Sequence, residues 1–271
     1  MTVETALSFS IITEPLANKP NRPIEHNMDL ASAFSYACNA CGRCCHDQVI
    51  ALSPYDVIAI AREAGISTGE AIRRHTIRRG SILKFADDGG CAALDGVRCG
   101  IHRGRPLACR LYPLGLERGR DGAEIFIRLE PATGSAGIYG ESGTVAHFLE
   151  EQDIAAHLEM NARYAALLPL LRGRIAATAD FELTEPREFW RVACREAFAE
   201  TNYDPNPLID AIFDADAIGC ACDSVIGSVD AHLAELTARI RRETNPAILA
   251  AVAVMLAVSL GYSPGEIVAM R

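Results

Sequence analysis

The sequence has no Ser–His–Asp signature, no paired-carboxylate motif, no glycine fingerprint of a dinucleotide site and no phosphate-binding loop. These absences remove the short linear marks of dehydrogenases and NTPases. They do not remove a triad assembled in space. The first twenty residues, MTVETALSFSIITEPLANKP, lack the basic start and sustained apolar core of a secretory signal. No apolar run reaches the roughly 20 residues of a membrane span. The longest, AILAAVAVMLAVSLGY at 247–262, is short and alanine-rich and reads as a buried helix. The expectation is a cytoplasmic protein with no membrane partner, in a reducing compartment that disfavours disulfides.

Aromatic residues are scarce, at 6%. The net charge of −9 is unevenly shared. Residues 34–120 hold 13 basic and 8 acidic residues, or +5; the rest hold 13 and 27, or −14. No aromatics interleave with the basic residues as base stacking requires, so no nucleic acid is expected. Several thiolates around one ion carry net negative charge, and nearby arginines offset it.

What the chain has in excess is cysteine in one place. Seven of its ten cysteines fall within residues 38–109, four of them as Cys38-x-x-Cys41-x-x-Cys44-Cys45, followed by Cys91, Cys99 and Cys109. Zinc–thiolate bonds of about 2.3 Å put sulfurs roughly 4 Å apart, and a Cys-x-x-Cys turn brings two sulfurs that close. Gly42 supplies the tight backbone such a turn needs. The remaining donors must come from Cys91, Cys99 and Cys109, far along the chain. Neighbouring side chains diverge, so Cys44 and Cys45 do not easily share one ion. Either two metals are held, or one of the pair is a packing or reactive thiol. Seven thiols are one short of two four-thiolate sites, and His46 and His102 stand beside them as further donors. Neither ferredoxin spacing nor a zinc ribbon with two clean pairs fits. Zinc, iron and an iron–sulfur cluster all stay open.

The run Cys38–Cys45 with Cys91, and then Cys99-Gly-Ile-His-Arg-Gly-Arg105-Pro106-Leu-Ala-Cys109-Arg110-Leu-Tyr112-Pro113, resembles the YkgJ-type cysteine-cluster family with its CxxCxxCC signature. His102 stands where that family commonly has tyrosine. The resemblance covers about 36–113. It implies a zinc- or iron-chelating domain with those seven cysteines as metal ligands, and it implies no settled reaction. A similar cluster in flagellin lysine methylases keeps a redox or group-transfer enzyme in view by analogy. A metal-handling protein that passes its ion to a protein partner is a third reading. Arg105 and Arg110 read as braces for the turn that delivers Cys109.

The expected fold is α+β, predominantly α: an N-terminal arm at 1–29, an irregular cysteine-rich metal module at 30–143 and a helical domain at 144–271. Ser53-Pro54-Tyr55-Asp56 starts one helix that ends at Gly65, and Ser67-Thr68-Gly69-Glu70 starts another that ends near Gly80. Residues 81–85 and 124–129 read as strands. The glycine-rich 134–143 reads as a linker. Beyond it, helices are expected over 145–168, ending or kinking at Pro169, over 186–200, 208–218 and 229–241, from Asn245-Pro246, and from Ser263. Cys194, Cys220 and Cys222 read as core thiols.

Overall fold

The computed structural model describes residues 22–118, 124–178, 206–220 and 225–262, together with 193 and 197. The expected helices at 186–200 and from Ser263, and Cys194 and Cys222, lie outside those residues. So do residues 1–21 of the N-terminal arm, whereas Pro23–Met28 form a strand, β1.

Helix α1 (Pro54–Ala64) begins where its sequence says. The Ser53 side chain accepts from the Asp56 N–H, and the Asp56 carboxylate accepts from the Ser53 N–H, a reciprocal cap that satisfies two otherwise orphaned donors. Gly65, at φ 64°, closes it in the left-handed conformation. Helix α2 (Thr68–His75) is capped by Ser67 and stops five residues short of Gly80. Thr76–Ile77 (β3) and Ile82–Leu83 (β4) instead make a small antiparallel hairpin. Its turn holds Arg78 and Arg79 at φ 51° and 58°, values that end helical propagation.

A three-stranded antiparallel sheet runs in the order β1, β8 (Glu124–Leu129), β7 (Leu114–Arg118). Strand β2 (Ala33–Ala37) pairs antiparallel with β9 (Ile138–Thr144), Tyr36 opposite Tyr139. The segment that reads as a glycine linker is therefore largely a strand. A Cβ at Gly140 would lie 2.7 Å from Ser35 Oγ, and one at Gly143 3.1 Å from the Phe34 carbonyl. These glycines serve close strand approach, a use their composition alone does not separate from a flexible link.

The helix expected over 145–168 is broken into α4 (Val145–Glu151) and α5 (Ile154–Ala165), because Asp153 adopts φ 55° between them. Pro169 lies inside the first turn of α6 (Leu167–Thr178), where its missing N–H breaks no bond. Helices α7 (Pro207–Ala211), α8 (Val225–Arg242) and α9 (Pro246–Ser259) complete the described helical part. Asn245 caps α9 and Pro246 opens it, as the sequence requires. Among the described residues no helix is long and apolar enough to cross a membrane.

Two apolar cores result. The larger joins Leu52, Val57, Ile58, Ile60 and Leu83 to residues of α5–α9. The smaller joins Met28, Phe34, Leu114 and Phe126 to Val145, Phe148 and Ile154. Phe34 and Phe148 meet edge to face at 5.0 Å, a favoured aromatic geometry. Each core draws on residues before and after Gly143. The architecture is α+β.

Candidate metal centre

Strand β2 delivers the chain to Cys38. The loop that follows turns at Gly42, whose φ of 71° suits glycine and whose Cβ position is 3.1 Å from the Val97 carbonyl. The Cys45 N–H returns to the Gly42 carbonyl at 3.0 Å and closes a short 3-10 turn, Arg43–Cys45. Cys91 follows the Gly89–Gly90 turn, and its N–H donates to the Cys45 carbonyl at 2.9 Å. Cys99 ends a two-residue strand, β6 (Arg98–Cys99), opposite Leu94 in β5 (Leu94–Asp95). Cys109 sits on a single helical turn, α3 (Leu107–Leu111). Elements this short cannot stand on their own hydrogen bonds, so neighbouring loops fix them.

All eight described cysteines are free thiols. Cys38 is exposed, and the other six of the cluster are half-buried. The backbone aims donors at the sulfurs. Cys38 Sγ accepts from the Ala40 N–H (3.4 Å), Cys41 Sγ from those of Ala136 (3.4 Å) and Arg43, Cys91 Sγ from Ala93 (3.5 Å) and Cys99 Sγ from Ile101. Four cysteines thus take the N–H two residues on, an arrangement that favours the thiolate a soft metal needs. The Ala136 and Arg43 donors hold the Cys41 thiol below its usual range. Burial pushes Cys91 up to about 11 and raises Cys99 and Cys109 as well. Cys45 donates its S–H to Cys44, which lowers Cys44 and raises Cys45. The adjacent thiols therefore interact directly, despite the divergence expected of neighbouring side chains. Of this adjacent pair, Cys44 is the one favoured as thiolate.

In donor type and backbone support the residues fit a zinc or iron centre. The sulfurs are neighbours without being convergent: among the described residues no three His, Cys, Asp or Glu side chains stand arranged to hold one ion.

The two arginines act as braces. Arg110 is buried and donates to the carbonyls of Gln152 (2.9 Å), Arg105 (3.2 Å) and Arg103. Arg105 donates to the His102 carbonyl (2.7 Å) and to Gln152 Oε1 (2.8 Å). His46 Nδ1 lies 3.0 Å from the Gly42 carbonyl, so that nitrogen carries the proton and ties the cysteine turn. His102 is exposed beside Arg105, and partial burial and that cation lower it. His147 is exposed on α4 while His157 is buried on α5. His157 Nε2 lies 3.8 Å from Asp56 Oδ1, and desolvation holds its imidazole low. Cys220 is buried, as a core thiol should be.

Asp56 has a second role that its place at a helix start conceals. Its Oδ2 accepts from the Ser53 N–H and Oγ–H, while its Oδ1 accepts from the Leu107 N–H at 3.0 Å. It thereby pins the turn that presents Cys109. Gln152 likewise holds both arginines. Neither has a linear signal, since their partners lie 42–51 residues away.

No curated protein and no solved structure matches the chain. Residues 37–127 match the family model CxxCxxCC, described as "Putative zinc- or iron-chelating domain". The cysteine-bearing third of the chain is thus similar to the CxxCxxCC family, the YkgJ-type family that its cysteine spacing resembles.

Proposed function

We propose that the chain is a metal-binding protein in which Cys38, Cys41, Cys44, Cys45, Cys91, Cys99 and Cys109 chelate zinc or iron. The observation that carries this is the gathering of seven free thiols from four separate segments, with backbone N–H groups aimed at four of the sulfurs. Such donors stabilise thiolates, and thiolates bind these metals tightly. Residues 30–143 make up the metal-holding part, and 144–271 the helical part that buttresses it through the shared cores. Free thiols suit a reducing cytosol.

Purification with and without oxygen, followed by metal analysis and a visible spectrum, tests the reading. Stoichiometric zinc in a colourless protein, or iron with absorption near ~400 nm, supports it. A chain that carries and takes up neither metal defeats it. Cys41→Ser is expected to lower metal content and thermal stability together, because binding energy in such modules is folding energy.

A second reading, a redox or group-transfer enzyme, draws on the Cys41 thiol. Its lowered pKa and partial exposure favour a nucleophilic thiolate. Selective alkylation of Cys41 in the metal-loaded chain favours that reading; full protection favours a ligand role.

A further inference from the structure

We propose that the exposed rim of the first cysteine loop is a docking surface for an acidic segment of another protein that carries branched apolar side chains. Val97 and Ile138 supply its apolar contacts, and Arg43 and Arg98 its cations. This goes beyond chelation and uses only the geometry of the loop, not the identity or number of its ions.

Three segments meet along the loop from Cys38 to Arg43. The Val97 carbonyl lies 3.1 Å from the position a Cβ would take at Gly42. Cys41 Sγ accepts from the Ala136 N–H at 3.4 Å, and Asn39 Nδ2 donates to the Ala136 carbonyl at 2.7 Å. Ile138 stands opposite Ala37, the residue before Cys38, in the β2–β9 pair. Arg43 Nε is 3.7 Å from the Cβ position of Gly134. The β5–β6 hairpin tip and the 134–138 segment therefore both border the loop that carries the exposed Cys38.

The rim is apolar where folding does not ask for it. Val97 and Ile138 are 61% and 62% exposed, two of the five large apolar side chains that stand in water among the described residues. Gly96, at φ 59°, already makes the hairpin turn, and a polar residue serves the position after it equally well. A valine there adds nothing to either core. Arg43 and Arg98 are exposed beside these side chains. Among the described residues neither pairs with a carboxylate, Asp95 across the hairpin included. Arginine beside apolar side chains is the composition of an interface, whereas a merely solvated surface is richer in lysine and glutamate.

Charge selects the occupant. Residues 34–120 carry +5 within a chain of −9. A short acidic segment responds chiefly to charges within a Debye length, about 8 Å at physiological salt, and so meets the two guanidiniums. A second copy fits worse. Two-fold pairing of this face with itself sets arginines against arginines, and any other approach brings together two bodies of −9. The four rim residues include no aromatic on which a base could stack.

The test uses the reduced, zinc-supplied full chain, with metal content measured on every sample. The probe is a short fluorescent peptide of paired glutamates separated by single leucines, followed by anisotropy. Saturable binding that weakens with salt is expected. Arg98→Glu, alone or with Arg43→Glu, should weaken it by about tenfold or more at unchanged metal content and melting temperature. Should Arg43→Glu disturb metal content, Arg98→Glu alone decides. Val97→Ser should weaken binding while leaving its salt dependence as in the parent, and a peptide with serine in place of leucine should bind the parent less tightly. No binding of the acidic peptide, or binding that none of these changes alters, overturns the proposal. So does tighter binding of a single-stranded oligonucleotide or of phosphatidylserine vesicles. A concentration-dependent dimer in sedimentation that Arg98→Glu abolishes gives the face to a second copy and overturns it as well. None of these results bears on chelation, which stands or falls with the metal content.

Discussion

Helix α9 and the cysteine segment 91–100 are held in opposite ways. In α9, ten of fourteen residues are buried, and the helix is apolar all round because neighbours cover every face. From Cys91 to Gly100 only Ala93 is buried, and the strands are two residues long. The first region can be stabilised by transfer of apolar surface at about 25 cal/mol per Å². The second has almost nothing to transfer. A segment with so little core keeps one conformation only if other bonds fix it, and thiolate–metal bonds are the ones its composition offers.

The largest expected effect follows directly. Stripping metal with a chelator under reducing conditions should abolish slow amide exchange across 38–45 and 91–100 and leave α9 protected. Hydrogen exchange read by mass spectrometry resolves the two. Equal protection of both regions in the stripped chain would erase the contrast.

The converse change should strike the other region. Leu256, 1% exposed, sits in the last turn of α9. Leu256→Ala is expected to cost about 2–5 kcal/mol through lost burial and a residual cavity. Metal content per folded chain should not change. Denaturant midpoints with metal analysis of the folded fraction check both halves of that statement.

A smaller effect is expected where the two regions are tied. Arg110→Met leaves the carbonyls of Arg103, Arg105 and Gln152 without their shared donor, at about 1–3 kcal/mol. Lysine at this position should restore little, since it lacks the planar fork that reaches three carbonyls. Slower metal uptake in the methionine variant than in the parent would mark the arginine as a brace for Cys109.

The smallest effect concerns pH and the helical part alone. His232 is fully buried, its Nε2 2.7 Å from the Ala211 carbonyl and its Nδ1 2.8 Å from Tyr164 Oη. Nε2 must carry the proton, so Nδ1 accepts from the tyrosine, and a second proton would break that bond. Burial holds this imidazole below its usual value, with the hydrogen bond to the Ala211 carbonyl and then Asp214 and Asp216 opposing. Its stabilising contribution is full above the unfolded value of about 6.5. It declines as pH falls from there to the folded-state value, because the unfolded chain takes up the proton first. His232→Gln should flatten the fall in melting temperature between pH 7.5 and 5.5.

Sequence reasoning read the capped helices well. Ser53, Ser67 and Asn245 act through contacts two or three residues away, and such contacts are written locally. Gly42 was legible for the same reason. The strand at Ile138–Thr144 was not, because its glycines are chosen by Ser35 and Phe34 about a hundred residues upstream. The break at Asp153 has no glycine or proline to announce it. At the site, the spacing singled out the seven cysteines, but not the direct interaction of the thiols at 44 and 45. Asp56 and Gln152 were invisible as supports because their partners lie far along the chain.

One carboxylate caps α1 with one oxygen and receives the amide of Leu107 with the other. The intervening fifty residues are therefore a loop whose feet are stitched together by the protein itself, whatever occupies its interior. Lengthening such a loop adds only about 0.6 kcal/mol per doubling. Changes of length between α1 and α3 that spare Cys91 and Cys99 should thus leave the turn that bears Cys109 in register with α1.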